Sequence, residues 1–267
     1  MNLRTSRRSF LKTTALTAAA LGFPAVSYRR VLGANDALRV AVVGFNGRGA
    51  DHIAGFLKVP GVRLAALCDC DQKVLDAAVK KLKEQGHDVK GYKDVRDVIA
   101  DKDIDIISTA TPNHWHSLIT VWACQANKDV YVEKPVSHNV WEGRKAVEAA
   151  RHYKRIVQTG TQSRSNPGLQ EAVAWIRAGN LGDITLARGL CYKPRQSIGK
   201  VSGPTAVPAT INYDMWCGPR AVTPLMREKL HYDWHWVFYT GNVYLGNQGI
   251  HQMDIASWVL GVLPSSW

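Results

Sequence analysis

From Leu38 onward, short apolar runs alternate with longer amphipathic stretches. The runs Leu38–Val43, Arg63–Cys68, Ile104–Thr109, Asp129–Val132 and Ile156–Thr159 read as strands buried on both faces. Helical spacing between them predicts helices near Gly49–Val59, Gln72–Gln85, Val95–Ala100, His114–Ala126 and Asn139–Tyr153. In the second of these, Leu75, Val79 and Leu82 share a face, while Lys73, Lys80, Lys81 and Lys83 fall on the solvated side. A strand-helix alternation of this kind predicts an α/β fold built on a Rossmann-type, doubly wound parallel sheet.

The texture changes after Gly160. A helix is predicted near Leu169–Ala178 and a strand at Ile184–Tyr192, followed by a Pro- and Gly-rich stretch from Pro194 to Pro208. The last part is dense in aromatics, with Trp216, Trp234, Trp236, Phe238, Tyr239 and Tyr244. Most of these belong to a core and only some to a ligand surface. The shift sets a domain boundary near residue 160, with regions 35–160 and 161–267 on either side.

Charge changes the picture at the N-terminus. The 267 residues carry a formal net charge of +12, a balance that by itself suggests an anionic partner. Arg4, Arg7, Arg8, Lys12, Arg29 and Arg30 all fall in the first 34 residues, where no acid occurs, leaving 28 cations against 22 acids elsewhere. That remainder is spread without a basic run, so no nucleic-acid partner is expected. Ser6-Arg7-Arg8-Ser9-Phe10-Leu11-Lys12 precedes an uncharged, weakly apolar stretch from Thr13 to Val26, too short to span a bilayer. It resembles a twin-arginine (Tat) signal, which implies the Tat export machinery as a partner, folding in the cytoplasm and a periplasmic destination. Cleavage fits after Ser27 or after Ala34. The five cysteines are an odd number, and Cys68 and Cys70 are poorly placed for a mutual bridge, so free thiols are expected.

Candidate chemistry begins where the first strand ends. Val40-Ala41-Val42-Val43-Gly44-Phe45-Asn46-Gly47-Arg48-Gly49 is a strand, a turn and a helix start, the context in which main-chain N–H groups and a helix dipole bind a pyrophosphate. Asn46 occupies the second glycine's place, and asparagine tolerates the positive φ such a turn can need. Asp69 closes the second strand, twenty positions beyond Gly49, where an acid grips the adenosine ribose. A carboxylate there repels a 2′-phosphate, which favours NAD over NADP.

Thr111-Pro112-Asn113-His114-Trp115-His116, Glu133-Lys134-Pro135 and Gly246-Asn247-Gln248-Gly249-Ile250-His251-Gln252-Met253-Asp254 complete the pattern. With the glycine loop they resemble the Gfo/Idh/MocA family of NAD(P)-dependent oxidoreductases acting on sugars and polyols, from about Leu38 to Leu260. The resemblance implies that Gly44, Asn46, Gly47, Arg48, Gly49 and Asp69 hold the dinucleotide. It also implies that Thr111, Pro112, Asn113, His116, Glu133 and Lys134 border its nicotinamide end, with Pro135 in the cis form common in the family. On a continuous helix Asn247, His251 and Asp254 share one face. They and Lys134 are the substrate-binding set, with His251 as the proton acceptor and Lys134 stabilising the developing alkoxide. Family dehydrogenases often carry Asp where Asn247 stands, and an amide cannot share an imidazolium's charge. The pairs His114/His116 and His231/His235 are not read as metal ligands.

The family also continues into a broad, mostly antiparallel sheet that often serves as an oligomer face. Region 161–267 is accordingly expected to be a truncated α+β substrate and oligomerisation domain, and the full-length protein a homo-oligomer. Three functions stay open. The first is an oxidoreductase on a sugar, polyol or glycoside with tightly held cofactor, since no free NAD pool is expected outside the cytoplasm. The second is redox-neutral, NAD-dependent glycoside hydrolysis or elimination. The third is a non-catalytic sugar-binding or assembly module.

Overall fold

The computed structural model describes residues 37–261, and Leu38 onward form one compact unit. The Tat-like segment lies outside the described residues. Six parallel strands make one sheet in the order β3-β2-β1-β4-β5-β6. They are β1 (Leu38–Val43), β2 (Val62–Cys68), β3 (Lys90–Tyr92), β4 (Ile106–Thr109), β5 (Asp129–Val132) and β6 (Val157–Thr159). Between them run α1 (Arg48–Phe56), α2 (Gln72–Glu84), α3 (Val95–Ala100), α4 (Asn113–Gln125) and α5 (Val140–His152). Strand order reverses between β1 and β4, where Val40 pairs with Ile106 and Val43 with Thr109. A crevice opens at the carboxyl ends of the strands at such a switch point.

Alternate residues of β1 serve opposite faces. Ala41 and Val43 pack with Val98, Ile107, Ile119 and Val132 on one side. Val42 packs with Leu64, Leu67, Leu75 and Leu82 on the other. The lysine-rich face of α2 is wet, and Asp71 caps its start by accepting from the Lys73 N–H. β3 escapes hydrophobic patterning because Lys-Gly-Tyr has no apolar alternation. Its place comes from pairing with β2, Ala66 opposite Lys90.

Beyond Gly160 the described residues hold α6 (Pro167–Trp175), α7 (Tyr213–Cys217) and α8 (Ile250–Leu260), with single turns between. A small third core gathers Ile211, Trp216, Cys217, Leu225 and Leu230. It is tied to the loop after β2 by Gln72 N donating to Thr210 O at 2.8 Å and Asn212 N donating to Cys70 O at 3.1 Å. The strand expected at Ile184–Tyr192 does not form. An extended segment needs a neighbour for its N–H and C=O groups. None of the described residues supplies one, and Leu186, Leu190 and Tyr192 are left exposed. No antiparallel sheet is present among the described residues.

Candidate active site

A cleft of about 450 Å³ lies over the carboxyl ends of the sheet. At its base, β1 runs into the glycine turn. Gly44 takes φ +73°, so the left-handed conformation falls there and Asn46 is not called on for it, contrary to the sequence expectation. A Cβ on Gly49 would stand 2.2 Å from the Gly44 carbonyl oxygen, whereas one on Gly47 would meet nothing within 4 Å. The protein therefore forbids a side chain at Gly49. At Gly47 it leaves open space at the N-terminus of α1, whose first N–H groups have no side-chain cap. An uncapped helix start beside an open cradle fits a pyrophosphate.

Asp69, at the end of β2, accepts from Phe45 N at 3.2 Å and from Asp71 N at 3.0 Å. Burial pushes its carboxyl above the usual carboxylate range. Both oxygens keep lone pairs for ribose hydroxyls. The residues present thus fit a dinucleotide without a 2′-phosphate.

At the end of β5, Glu133 is buried and accepts from Arg48 Nε and from His52 at 3.1 Å each, and from the Lys134 N–H at 3.1 Å. Burial pushes its carboxyl up, but the hydrogen bonds from His52, Arg48 and Lys134 N outweigh it and bring the pKa down to about 2. The Lys134–Pro135 peptide bond is cis. His116, fully buried, contacts the Pro135 carbonyl at 2.6 Å and the Thr111 carbonyl at 2.9 Å, riveting the loops after β5 and β4 together. Asn113 is buried and donates to Asn242 Oδ1 at 2.8 Å. His116 and Asn113 line the cleft, yet their contacts are with the protein itself.

Lys134 reaches across to donate to the Asn247 carbonyl at 2.6 Å. Burial lowers the proton affinity of Lys134 and also that of His251. Asn247 and His251 line the same cleft, but the chain enters α8 through a π turn at Leu245–Gly249, so the three residues do not sit on one regular α-helix. Asp254 is turned away into an ion pair with Arg164 at 2.8 Å. The structure thus brings Gly44, Asn46, Gly47, Arg48, Asp69, Thr111, Pro112, Asn113, His116, Glu133, Lys134, Asn247 and His251 to one cleft. Asp254 stands outside it, and Gly49 shapes it from below. Sequence reasoning missed His52, whose only signal is its place one helical turn after Arg48. It also missed His231, which pairs with Asp71 at 3.0 Å beside the Asp69 end, and Arg195, which donates to Asn247.

Comparison with known proteins agrees with this geometry. Residues 38–161 match the GFO_IDH_MocA family, described as "Oxidoreductase family, NAD-binding Rossmann fold". Inositol 2-dehydrogenase of Salmonella paratyphi B is 28% identical over 180 residues, 67% of this chain and 52% of the relative. Glycosyl hydrolase family 109 protein 2 of a Shewanella species is 34% identical over 158 residues, 51% of this chain and 35% of the relative. Among solved structures, myo-inositol 2-dehydrogenase from Lactobacillus plantarum is 27% identical with a TM-score of 0.51, over 55% of this chain and 43% of that one. The chain spans about half the length, or less, of these relatives. Over residues 38–161 the chain is thus similar to the NAD-binding Rossmann domain of the Gfo/Idh/MocA oxidoreductases.

Proposed function

We propose that the protein is an NAD-dependent oxidoreductase acting on a sugar or polyol, with the cofactor held tightly. The observation that carries this reading is the convergence of Lys134, Asn247 and His251 on the cleft that contains the glycine turn and Asp69. Bound NAD supplies the hydride acceptor. His251 takes the proton of the substrate hydroxyl as hydride leaves the same carbon, so O–H and C–H break together and a carbonyl forms. Its proton affinity is lowered by burial, which keeps the imidazole neutral and able to accept near pH 7. Lys134 donates a hydrogen bond to the reacting oxygen. Glu133 holds the Lys134 main chain and, through Arg48 and His52, locks it to the helix that receives the pyrophosphate.

The relatives' printed names favour a polyol such as an inositol as the substrate class. The glycosyl hydrolase relatives favour a second reading, in which the same oxidation is followed by loss of a glycosidic substituent and re-reduction. The Tat-like segment supports folding and cofactor loading in the cytoplasm before delivery to the periplasm.

Mass spectrometry of small molecules released from the denatured, freshly purified protein tests the scheme. NAD in near-stoichiometric amount is expected, and no dinucleotide at all would overturn it. Glycoside cleavage without added NAD, against NADH formation at 340 nm, separates the two readings. Because the His251 pKa lies below its ordinary value of 6.5, the acidic limb of the rate profile is expected below pH 6.5 and absent in His251→Gln. A limb that persists in His251→Gln would remove His251 as the base.

A further inference from the structure

Two cations converge on one neutral residue at the substrate end of the cleft. Lys134 Nζ donates to the main-chain oxygen of Asn247 at 2.6 Å, and Arg195 Nη2 donates to its side-chain oxygen at 3.0 Å. A guanidinium has only donors, so the Asn247 atom facing Arg195 must be the oxygen. The amide N–H₂ is thereby turned away from Arg195, and its two N–H donors stay free for a ligand. Arg195 is itself held in place: Nη1 donates to the Tyr232 hydroxyl at 2.7 Å, and the guanidinium lies 5.3 Å from the Trp236 ring centre. Its Nε is buried with no hydrogen-bond partner.

Among the described residues Arg195 makes no ion pair, and Lys134 feels only the Glu133 carboxylate that Arg48 and His52 already share. The acids that line the cleft are Asp69 and Glu133. Asp69 sits on β2, three strand spacings or about 14 Å from β5. Glu133 is engaged by Arg48 and His52. Burial lowers the proton affinity of Lys134 and His235; the Glu133 carboxylate offsets part of this at Lys134, and the Arg195 charge lowers both further. Half-buried positive charge in excess of the acids beside it is costly, and an anion relieves it.

We propose that Arg195 is a positioning residue that acts through Asn247 to make a positively charged, donor-rich seat, and that the substrate placed there carries a carboxylate, as a uronate does. The inference rests on the sugar-oxidoreductase reading above and narrows its substrate class.

The test uses the purified protein with its bound dinucleotide, titrated with glucuronate, galacturonate and mannuronate and with the matching neutral amides. Binding is followed by calorimetry and by tryptophan fluorescence, since Trp234 lines the cleft. At least one uronate is expected to bind about ten-fold or more tighter than its amide, with the advantage shrinking as salt rises. Arg195→Gln should remove the advantage, Arg195→Lys should restore part of it, and Asn247→Asp should abolish it by supplying an internal carboxylate. Equal binding of every acid and its amide overturns the proposal. Loss of retained dinucleotide in Arg195→Gln, with the uronate preference intact, overturns it too by assigning the charge to the cofactor phosphates. Calorimetry needs no turnover, so a protein that binds uronates but transfers no hydride would sink the oxidoreductase reading while leaving the anion seat standing.

Discussion

The two ends of the cleft are built in different ways. At the Asp69 end the contacts come from strand termini and the turns that follow them, with His231 reaching Asp71 from outside, and β1 and β2 beneath are buried toward their carboxyl ends. At the Asn247 end the groups come from Lys134 on the sheet and from turns and single helical turns beyond residue 190, where Phe238, Tyr239 and Leu245 remain exposed. The first end is positioned by main-chain geometry, which tolerates no side chain at Gly44 or Gly49. The second is positioned by side chains holding side chains, which is how one scaffold accepts many substrates.

Five substitutions test that contrast. The largest effect is expected from Lys134→Ala, which removes the group bridging the two ends and should lower kcat by about 10²- to 10⁴-fold. Retention of bound NAD with near-normal NADH formation at 340 nm would show that the bridge has no chemical role. Next is Glu133→Gln, expected to cost about 3 kcal/mol in chemical denaturation because Arg48 and His52 lose their shared charge partner. The folded-state pKa of about 2 lies below the ordinary 4.5, so this stability is present above pH 4.5 and is lost as pH falls toward 2. The substitution should flatten that acid limb of the stability curve, and an unchanged limb would place the charge network elsewhere.

Smaller effects separate the glycines. Gly49→Ala should destabilise by about 2 kcal/mol, since its Cβ would stand 2.2 Å from the Gly44 oxygen. Gly47→Ala, opening onto free space, should melt closer to the parent protein yet retain less NAD. Equal NAD loss in both would mean that turn geometry, rather than room for the phosphates, governs binding. The smallest effect is expected from Asp254→Asn. It opens an ion pair whose arginine side chain is 44% exposed, costing under about 1 kcal/mol and leaving KM unchanged. A raised KM would return Asp254 to the substrate site.

Much of the sheet was legible because buried parallel strands leave continuous apolar runs. β3 was not, since Lys90-Gly91-Tyr92 has no such run and is recruited by its neighbour. The glycine turn and Asp69 were legible from spacing, because β1 and β2 place them side by side whatever follows. Asp254 was misjudged for a physical reason: it lies on regular α8 with His251, but Arg164, 90 positions away, takes its carboxylate, a pairing that spacing along one helix does not reveal. The segment Ile184–Tyr192 has a strand's composition without a strand's partner, and hydrogen bonding between strands cannot be read from one of them.

By itself, the sequence determined the parallel α/β scaffold, the dinucleotide cradle and the residue types at the site, because these depend on local periodicity and on short-range turns. The tertiary structure decided which of those residues face a ligand. It tied Glu133 to Arg48 and His52, sent Asp254 to Arg164, and set Arg195 against Asn247 across 52 positions. Those outcomes depend on which charges and donors meet after the chain has folded, and in a half-buried cleft such pairings determine what each side chain has left to offer.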